Sequence, residues 1–446
     1  MSQNGNYLPD VRTQYEQYPY PERDPQDERK RLIVSHQARL DSVNHHCFNG
    51  RQDFANGFRV LSAGGGTGDG LIAWAEQLRD KPGARVTYLD MSTASAQIAR
   101  KRAEVRGLQN IDWIEDSILN LPNLDVGLFD FIDCTGVLHH LEDPDAGLRA
   151  LLSVLKPGGA MFVMVYATYG RTGIYQVQNL MRMINGEEDS AAVKIRNTRE
   201  VLNSLPGQHW FNAGQRFLGG YSDLGNDAGT FDLFLHTQDR AYSILEVHDW
   251  LERCGMKLAS EPGTYYRQLQ YLPETFLKDR ALLEKIGKYP LKQQQAIGEA
   301  LSGEIFKHEF YAVRHDAAET VARLTDEGMV PWSGIGHVLP LDQLANIAEA
   351  QNDAFTITLD QFPDKPRFSV AKGTFVASLL RAIDGTRTVD QIVTAVAEKH
   401  ANTSRDAIMA DFERLFIGMN RGHVMYLRHE SVAPFTPLHE LMSKAG

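Results

Sequence analysis

Two histidines stand side by side in the stretch Asp133-Cys134-Thr135-Gly136-Val137-Leu138-His139-His140-Leu141. Imidazole changes charge near neutral pH, so His139 and His140 are residue types suited to taking a proton from an amine or a hydroxyl. Asp133, at the head of the same stretch, Tyr166 and Tyr169 are further groups able to hold or relay a proton. Spacing singles out none of these, and a positioning role for the histidine pair is preferred here to that of a general base. A second carboxylate, Asp90, closes an apolar run and is placed to accept both hydroxyls of a ribose. Between Val60 and Gly70 another apolar run stops abruptly in Ala63-Gly64-Gly65-Gly66-Thr67-Gly68. Glycine there admits backbone conformations closed to other residues and leaves room for a ligand. The helix expected from Asp69 points its first N–H groups at the same spot.

Spacing decides which ligand this loop suits. A dinucleotide fingerprint, Gly-x-Gly-x-x-Gly, counted from Gly64 lands on Asp69 and counted from Gly66 lands on Leu71, so neither register fits. Gly-x-Gly-x-Gly does fit, followed by a second apolar run, Arg85 to Leu89, and then Asp90. In this pattern the chain resembles the class I S-adenosylmethionine (SAM) dependent methyltransferases. The resemblance implies SAM as the cofactor, held by Ala63, Gly64, Gly65, Gly66 and Gly68, with Asp90 on the ribose and Met91 under the purine. It gives Asp116, with Ser117 beside it, the adenine side, and it puts Cys134 and Thr135 in the motif that floors the methyl group. Leu155-Lys156-Pro157-Gly158-Gly159 matches the turn before the family's fifth strand. One departure stands out: the family often carries an acidic residue at the end of the first strand, and this chain has Ser62 there.

These residues must be positioned by strands. Phe58 to Ala63, Arg85 to Leu89, Ile111 to Ile114, Phe129 to Cys134 and Ala160 to Tyr166 alternate with helical patterns, which is the signature of a parallel sheet covered on both faces. The expected fold class is α/β, a Rossmann-like methyltransferase sheet, with a small winged-helix-like domain at the C-terminus. We divide the chain into an N-terminal arm at 1–50, a methyltransferase domain at 51–315 with an insertion at about 168–240, a connector at 316–365 and the winged-helix-like domain at 366–446. The arm carries Tyr15, Tyr18 and Tyr20 among prolines and a charged helical stretch from Asp27 to about Leu40. It is read as packing on the core, with a lid over the donor pocket as the functional alternative, which Asn44, His45 and His46 would join. Thr172 to Ile184 is expected as a helix of the insertion, with Arg171, Tyr175 and Trp210 as acceptor contacts and a turn at Leu218 to Tyr221. A helix capped by Ser243, a closing strand Lys307 to Arg314 and a connector helix Ala317 to Glu327 complete the expectation.

Composition bounds the rest. A chain of 446 residues, 43% hydrophobic and 23% charged, has the make-up of a globular protein with more than one domain. A net charge of −11 argues against a protein devoted to phosphate backbones. Within 361–446 there are 11 Lys and Arg against 9 Asp and Glu, too even for a nucleic-acid grip, so the last domain is expected to contact protein or to self-associate. Cys47, Cys134 and Cys254 are scattered without metal spacing, and neither a disulfide framework nor a metal is expected. No apolar run is long enough to span a bilayer, which suits a cytoplasmic protein. The reading is a methyltransferase acting on an acceptor nucleophile, with a protein or peptide side chain preferred. A small-molecule acceptor and a non-catalytic SAM-binding scaffold are the alternatives.

Overall fold

The structure is a computed structural model, and it describes residues 12, 15–34, 36–218, 225–260, 263, 265–334, 339–351, 353–359, 367–400 and 403–443. Parallel strands covered on both faces read as near-continuous apolar runs, and those runs form the centre of the sheet. β1 (Arg59–Ala63), β2 (Arg85–Asp90), β3 (Ile111–Glu115), β4 (Phe129–Thr135) and β5 (Leu155–Ala167) are all parallel. β6 (Ala241–Tyr242) pairs with the end of β5, β7 is Met256–Leu258, and β8 (Lys307–Arg314) runs antiparallel between β5 and β7. The order is β3-β2-β1-β4-β5-β8-β7. Its direction of growth reverses between β1 and β4, and the carboxyl ends there open a crevice.

Short polar side chains start the helices that cover this sheet. Ser92 accepts from the Ser95 N–H ahead of helix Thr93–Arg106, and Asp143 accepts from the Ala146 N–H ahead of Pro144–Ser153. Ser243 and Glu246 form a reciprocal capping box at helix Ile244–Arg253, as its sequence indicates. The insertion helix Thr172–Ile184 has the expected bounds and buries Ile174, Val177 and Met181. One face of the sheet packs Leu61, Ile132, Val163 and Trp250, and the other packs Val60, Trp74, Phe131 and Phe162.

Two expected helices are absent. Among the described residues of the stretch from Asp27 to Leu40 there are two 3-10 turns, Pro25–Arg29 and His36–Ala38, and a regular helix begins only at Leu40 and runs to Cys47. Asp27, Arg29, Lys30 and Arg31 are exposed, but Glu28 among them is buried against Arg102 and Arg106. From Ala317 to Glu327 the backbone is spent on neighbours: Ala322 N–H donates to His45 O, and Thr320 O accepts from Asn49 N–H. Residues 273–288 hold two short helices, Pro273–Phe276 and Arg280–Ile286. The connector holds an unforeseen helix, Leu341–Ala350. The turn at 219–221 lies outside the described residues.

The C-terminal region is an α/β unit with its own core of Leu344, Leu379, Ile392, Phe412 and Leu415. Helices Val376–Ala382, Val389–Lys399 and Arg405–Arg421 pack beside a hairpin of β10 (Phe355–Thr358) and β11 (Arg367–Val370). Its strand β12 (Tyr426–His429) pairs antiparallel with β9 (Met329–Trp332) of the connector. This unit is tied to the first domain: Leu427 N–H donates to His45 Nδ1, His429 N–H to Gly50 O and Leu32 N–H to Met442 O. His45 and His46 are therefore buried in a joint between the two ends of the chain, away from the crevice.

Candidate active site

A cavity of about 520 Å³ lies beyond the carboxyl ends of β1 to β5, within the size range of small-molecule sites. Gly64, Gly65, Gly66, Asp90, Met91, Asp116, Ser117, Asp133, Thr135, His140 and Tyr166 all line it. Ala63, Gly68, Cys134 and His139, which the sequence placed with them, do not. Ala63 and Cys134 face the apolar core, where burial pushes the Cys134 thiol up and keeps it neutral. Gly68 has φ of +103° and caps the helix Asp69–Leu78. His139 is fully buried one layer down, its ring centroid 3.8 Å from that of Tyr166 and 4.1 Å from that of His140.

Asp90 ties the glycine loop to β2. One carboxylate oxygen accepts from Gly66 N–H and the other from Ser92 N–H, each at 2.8 Å. Burial raises its pKa, and those backbone donors oppose the rise. Each oxygen has capacity left for a ligand hydroxyl. Asp116 accepts from Ser117 N–H at 2.7 Å and from Asn120 Nδ2 at 3.0 Å, which fixes its rotamer at the end of β3. The glycines meet protein as well as open space. At Gly64 a Cβ would sit 2.3 Å from Val137, and at Gly66, where φ is +50°, it would sit 2.9 Å from the carbonyl oxygen of Tyr20.

That contact belongs to a strap formed by residues 15–30. Pro21 O accepts from Thr67 Oγ1 at 2.7 Å, and Arg23 forms a two-pronged ion pair with Asp69. Glu16 accepts from Thr93 and Ala94 N–H at the start of the helix after β2. Tyr15, Tyr20, Pro21 and Arg23 line the cavity, so the arm roofs the site as well as packing on the core.

At the other end of the cavity the insertion supplies groups that sequence reasoning missed. Helix Asp227–Phe234 brings Asp232, which accepts from Tyr15 OH at 3.1 Å and from Tyr166 OH at 3.3 Å. His236 follows one turn later and stacks on His140 with ring centroids 3.8 Å apart. The i, i+4 spacing of Asp232 and His236 was the available signal, but nothing local set them apart from other polar residues of the insertion. Arg171 lines the cavity as expected, its guanidinium 3.4 Å from the Tyr166 ring centroid. Tyr175 lies behind it, and Trp210 is 64% exposed away from the site.

His140, Asp232 and His236 have the residue types of a metal site. The two rings are stacked, however, so the in-plane lone pairs of their outer nitrogens run side by side and do not converge on one ion. His236 Nδ1 also accepts from Gln238 N–H at 3.1 Å, which puts the proton of its neutral ring on Nε2, where a ligand lone pair would be needed. His140 has the opposite tautomer. Its Nδ1 lies 2.9 Å from Gln238 O, an acceptor only, so Nδ1 carries the proton and Nε2 keeps a lone pair. Burial lowers the His140 pKa and Asp232 opposes the fall.

Sheet order and site together define a class I SAM-methyltransferase fold, and the sequence comparisons agree. Residues 61–161 match the family model described as a methyltransferase domain. An uncharacterized protein of Synechococcus sp. is 30% identical over 273 residues, 57% of this chain and 60% of that one. A ubiquinone biosynthesis O-methyltransferase of Actinobacillus pleuropneumoniae is 34% identical over 156 residues, 33% of this chain and 59% of that one. The chain thus spans about three fifths of the length of these curated relatives. Among solved structures, PKMT2 from Rickettsia typhi, in complex with AdoHcy, superposes with a TM-score of 0.60 over 88% of this chain and 75% of that one, at 14% identity. No helix among the described residues is long and apolar enough to cross a membrane.

SAM, the cofactor that such a fold implies, fits the residues present. Asp90 has lone pairs to spare, Met91 offers an apolar face, and Asp133 is a buried carboxylate with neutral donors only.

Proposed function

We propose that this protein is a SAM-dependent methyltransferase that acts on an acceptor nucleophile. The observation that carries the proposal is the cavity at the carboxyl ends of β1 to β5, where Asp90 braces the glycine loop inside the segment that matches a methyltransferase domain. When bound, SAM supplies an electrophilic methyl group on a positive sulfonium. The protein's part is to align an acceptor and exclude water, which the roof of Tyr15, Tyr20 and Pro21 favours. An acceptor that arrives with a proton loses it to His140 Nε2, the ring nitrogen left with a lone pair when Nδ1–H donates to the Gln238 carbonyl. His139 and Tyr166 position that ring by packing. Asp232 stabilises the imidazolium so formed.

Our preferred acceptor is a protein or peptide side chain. Support comes from the insertion that walls the site and from the C-terminal unit, whose three helices and closing strand resemble a winged-helix module with nearly balanced charge. Such a unit suits contact with protein better than a grip on nucleic acid. The test is to incubate radiolabelled SAM and purified protein with lysate from a strain lacking it, then separate the products by size. Label in a discrete macromolecular band is expected. Label confined to small solutes would refute the protein acceptor, and no enzyme-dependent label at all would refute the transferase.

A further inference from the structure

Strands β1 and β4 are neighbours, and their register sets Ser62 beside Asp133. Registered residues of adjacent parallel strands point to the same face of a sheet roughly 5 Å apart. Asp133 and Ser62 therefore share one face of the sheet, one strand apart, and both residues line the cavity. Asp133 is 4% exposed. Its Oδ1 accepts from Thr135 Oγ1 at 2.8 Å and its Oδ2 from Trp74 Nε1 at 3.2 Å, and both donors are neutral. The arginines of the cavity are engaged elsewhere, Arg23 with Asp69 and Arg171 with Asp239. Among the described residues no cationic side chain pairs with Asp133. Burial pushes its pKa up to about 6, so at neutral pH it is an ionised carboxylate without a counter-charge. A buried charge is costly unless it is paired. The space beside it is also kept clear, because a Cβ on Gly70 would fall 2.7 Å from Oδ2.

This inference rests on the methyltransferase reading, in which Asp90 at β2 and Asp116 at β3 take the adenosine portion of the donor. The amino-acid portion then lies toward β1 and β4. We propose that Asp133 binds the α-ammonium of the methionine portion of SAM and of the homocysteine portion of its product. It supplies, from the neighbouring strand, the carboxylate that the first strand lacks at Ser62. Asp133 is on this account a binding residue and not a proton acceptor in the reaction. The competing account makes it a structural anchor for Trp74, and ligand chemistry separates the two.

The test is calorimetric titration of the full chain and of Asp133→Asn with two nucleosides, S-adenosylhomocysteine, which carries the ammonium, and 5′-methylthioadenosine, which lacks the amino acid. Losing a charged partner should weaken S-adenosylhomocysteine by about 10- to 100-fold and leave methylthioadenosine within about twofold. A double variant, Ser62→Asp with Asp133→Ser, moves the carboxylate across the register pair and should recover at least tenfold of the lost affinity, roughly the weight of one such contact. That recovery also guards against a single variant that fails to fold. Unchanged S-adenosylhomocysteine affinity in Asp133→Asn, equal losses for both nucleosides, or no recovery in the exchanged pair would each overturn the assignment and leave the methyltransferase reading standing. Wild-type protein that binds neither nucleoside would overturn both.

Discussion

Asp133→Asn should make the ligand-free protein more stable. Burial raises the Asp133 pKa from 3.8 to about 6, and the two hydrogen bonds from Thr135 and Trp74 only partly oppose it. A raised folded pKa means that the folded state holds the proton more tightly than the unfolded state does. The favourable contribution is therefore complete below about 3.8 and is lost as pH rises through about 6. At neutral pH the ionised carboxylate costs the folded protein up to about 3 kcal/mol relative to the protonated form. An amide keeps the shape and titrates nowhere, so the difference between the two proteins isolates this residue. Urea unfolding of both proteins, ligand-free, should show Asp133→Asn gaining on wild type by roughly 1 kcal/mol between pH 5 and pH 7.5. A stability difference that stays flat across that range, or that moves toward wild type as pH rises, would refute the picture of an uncompensated buried carboxylate.

Asp90→Ala should cost about 1 to 3 kcal/mol in S-adenosylhomocysteine affinity by calorimetry, and it should also lower the melting temperature because Gly66 and Ser92 lose their acceptor. Gly66→Val should weaken the same ligand by more than about tenfold, since the new side chain meets the Tyr20 carbonyl at a backbone angle that β-branched residues disfavour; limited proteolysis should then cut the strap faster. Glu28→Ala leaves the guanidiniums of Arg102 and Arg106 buried without their shared carboxylate and should destabilise the protein by about 3 to 5 kcal/mol in urea titrations. Cutting the chain at residue 360 removes β12 and the tail that pairs with Leu32, so the remainder should lose soluble yield or melt well below the full chain; a remainder as stable as the parent would show that the joint contributes nothing.

The central strands were legible because a parallel sheet buried on both faces leaves little choice of residue. Val60-Leu61 and Ala160 to Tyr166 are apolar without alternation, Phe129 to Cys134 is apolar but for Asp130 and Asp133, and each run gives way to small or polar residues. The helix start with a side-chain cap at Ser243 was legible for a local reason too: the capping pair, Ser243 and Glu246, lies within one turn. What failed were segments whose backbone partners are distant. The connector around Thr320 looked helical in isolation, yet its donors and acceptors go to the helix Leu40–Cys47 some 270 residues earlier. Charge in the stretch after Asp27 looked like a solvated helix face because the buried partners Arg102 and Arg106 lie far along the chain.

The site divides along the same line. Residues placed by a strand end or a tight loop, Asp90, Asp116 and the glycines, are fixed by the sheet, and sheet order follows from the motifs. Residues that act through side-chain meetings, Asp232 and His236 with His140, come from an insertion whose path no local rule specifies. Asp133 falls between these cases. Its place on β4 was legible and its neighbour Ser62 was noticed for lacking a charge, but the link between them is a register, a property of two strands that are 71 residues apart in the chain. Once that register is known, the missing carboxylate on β1 and the unpaired carboxylate on β4 explain each other: one position on the sheet face calls for a negative charge, and either strand can provide it.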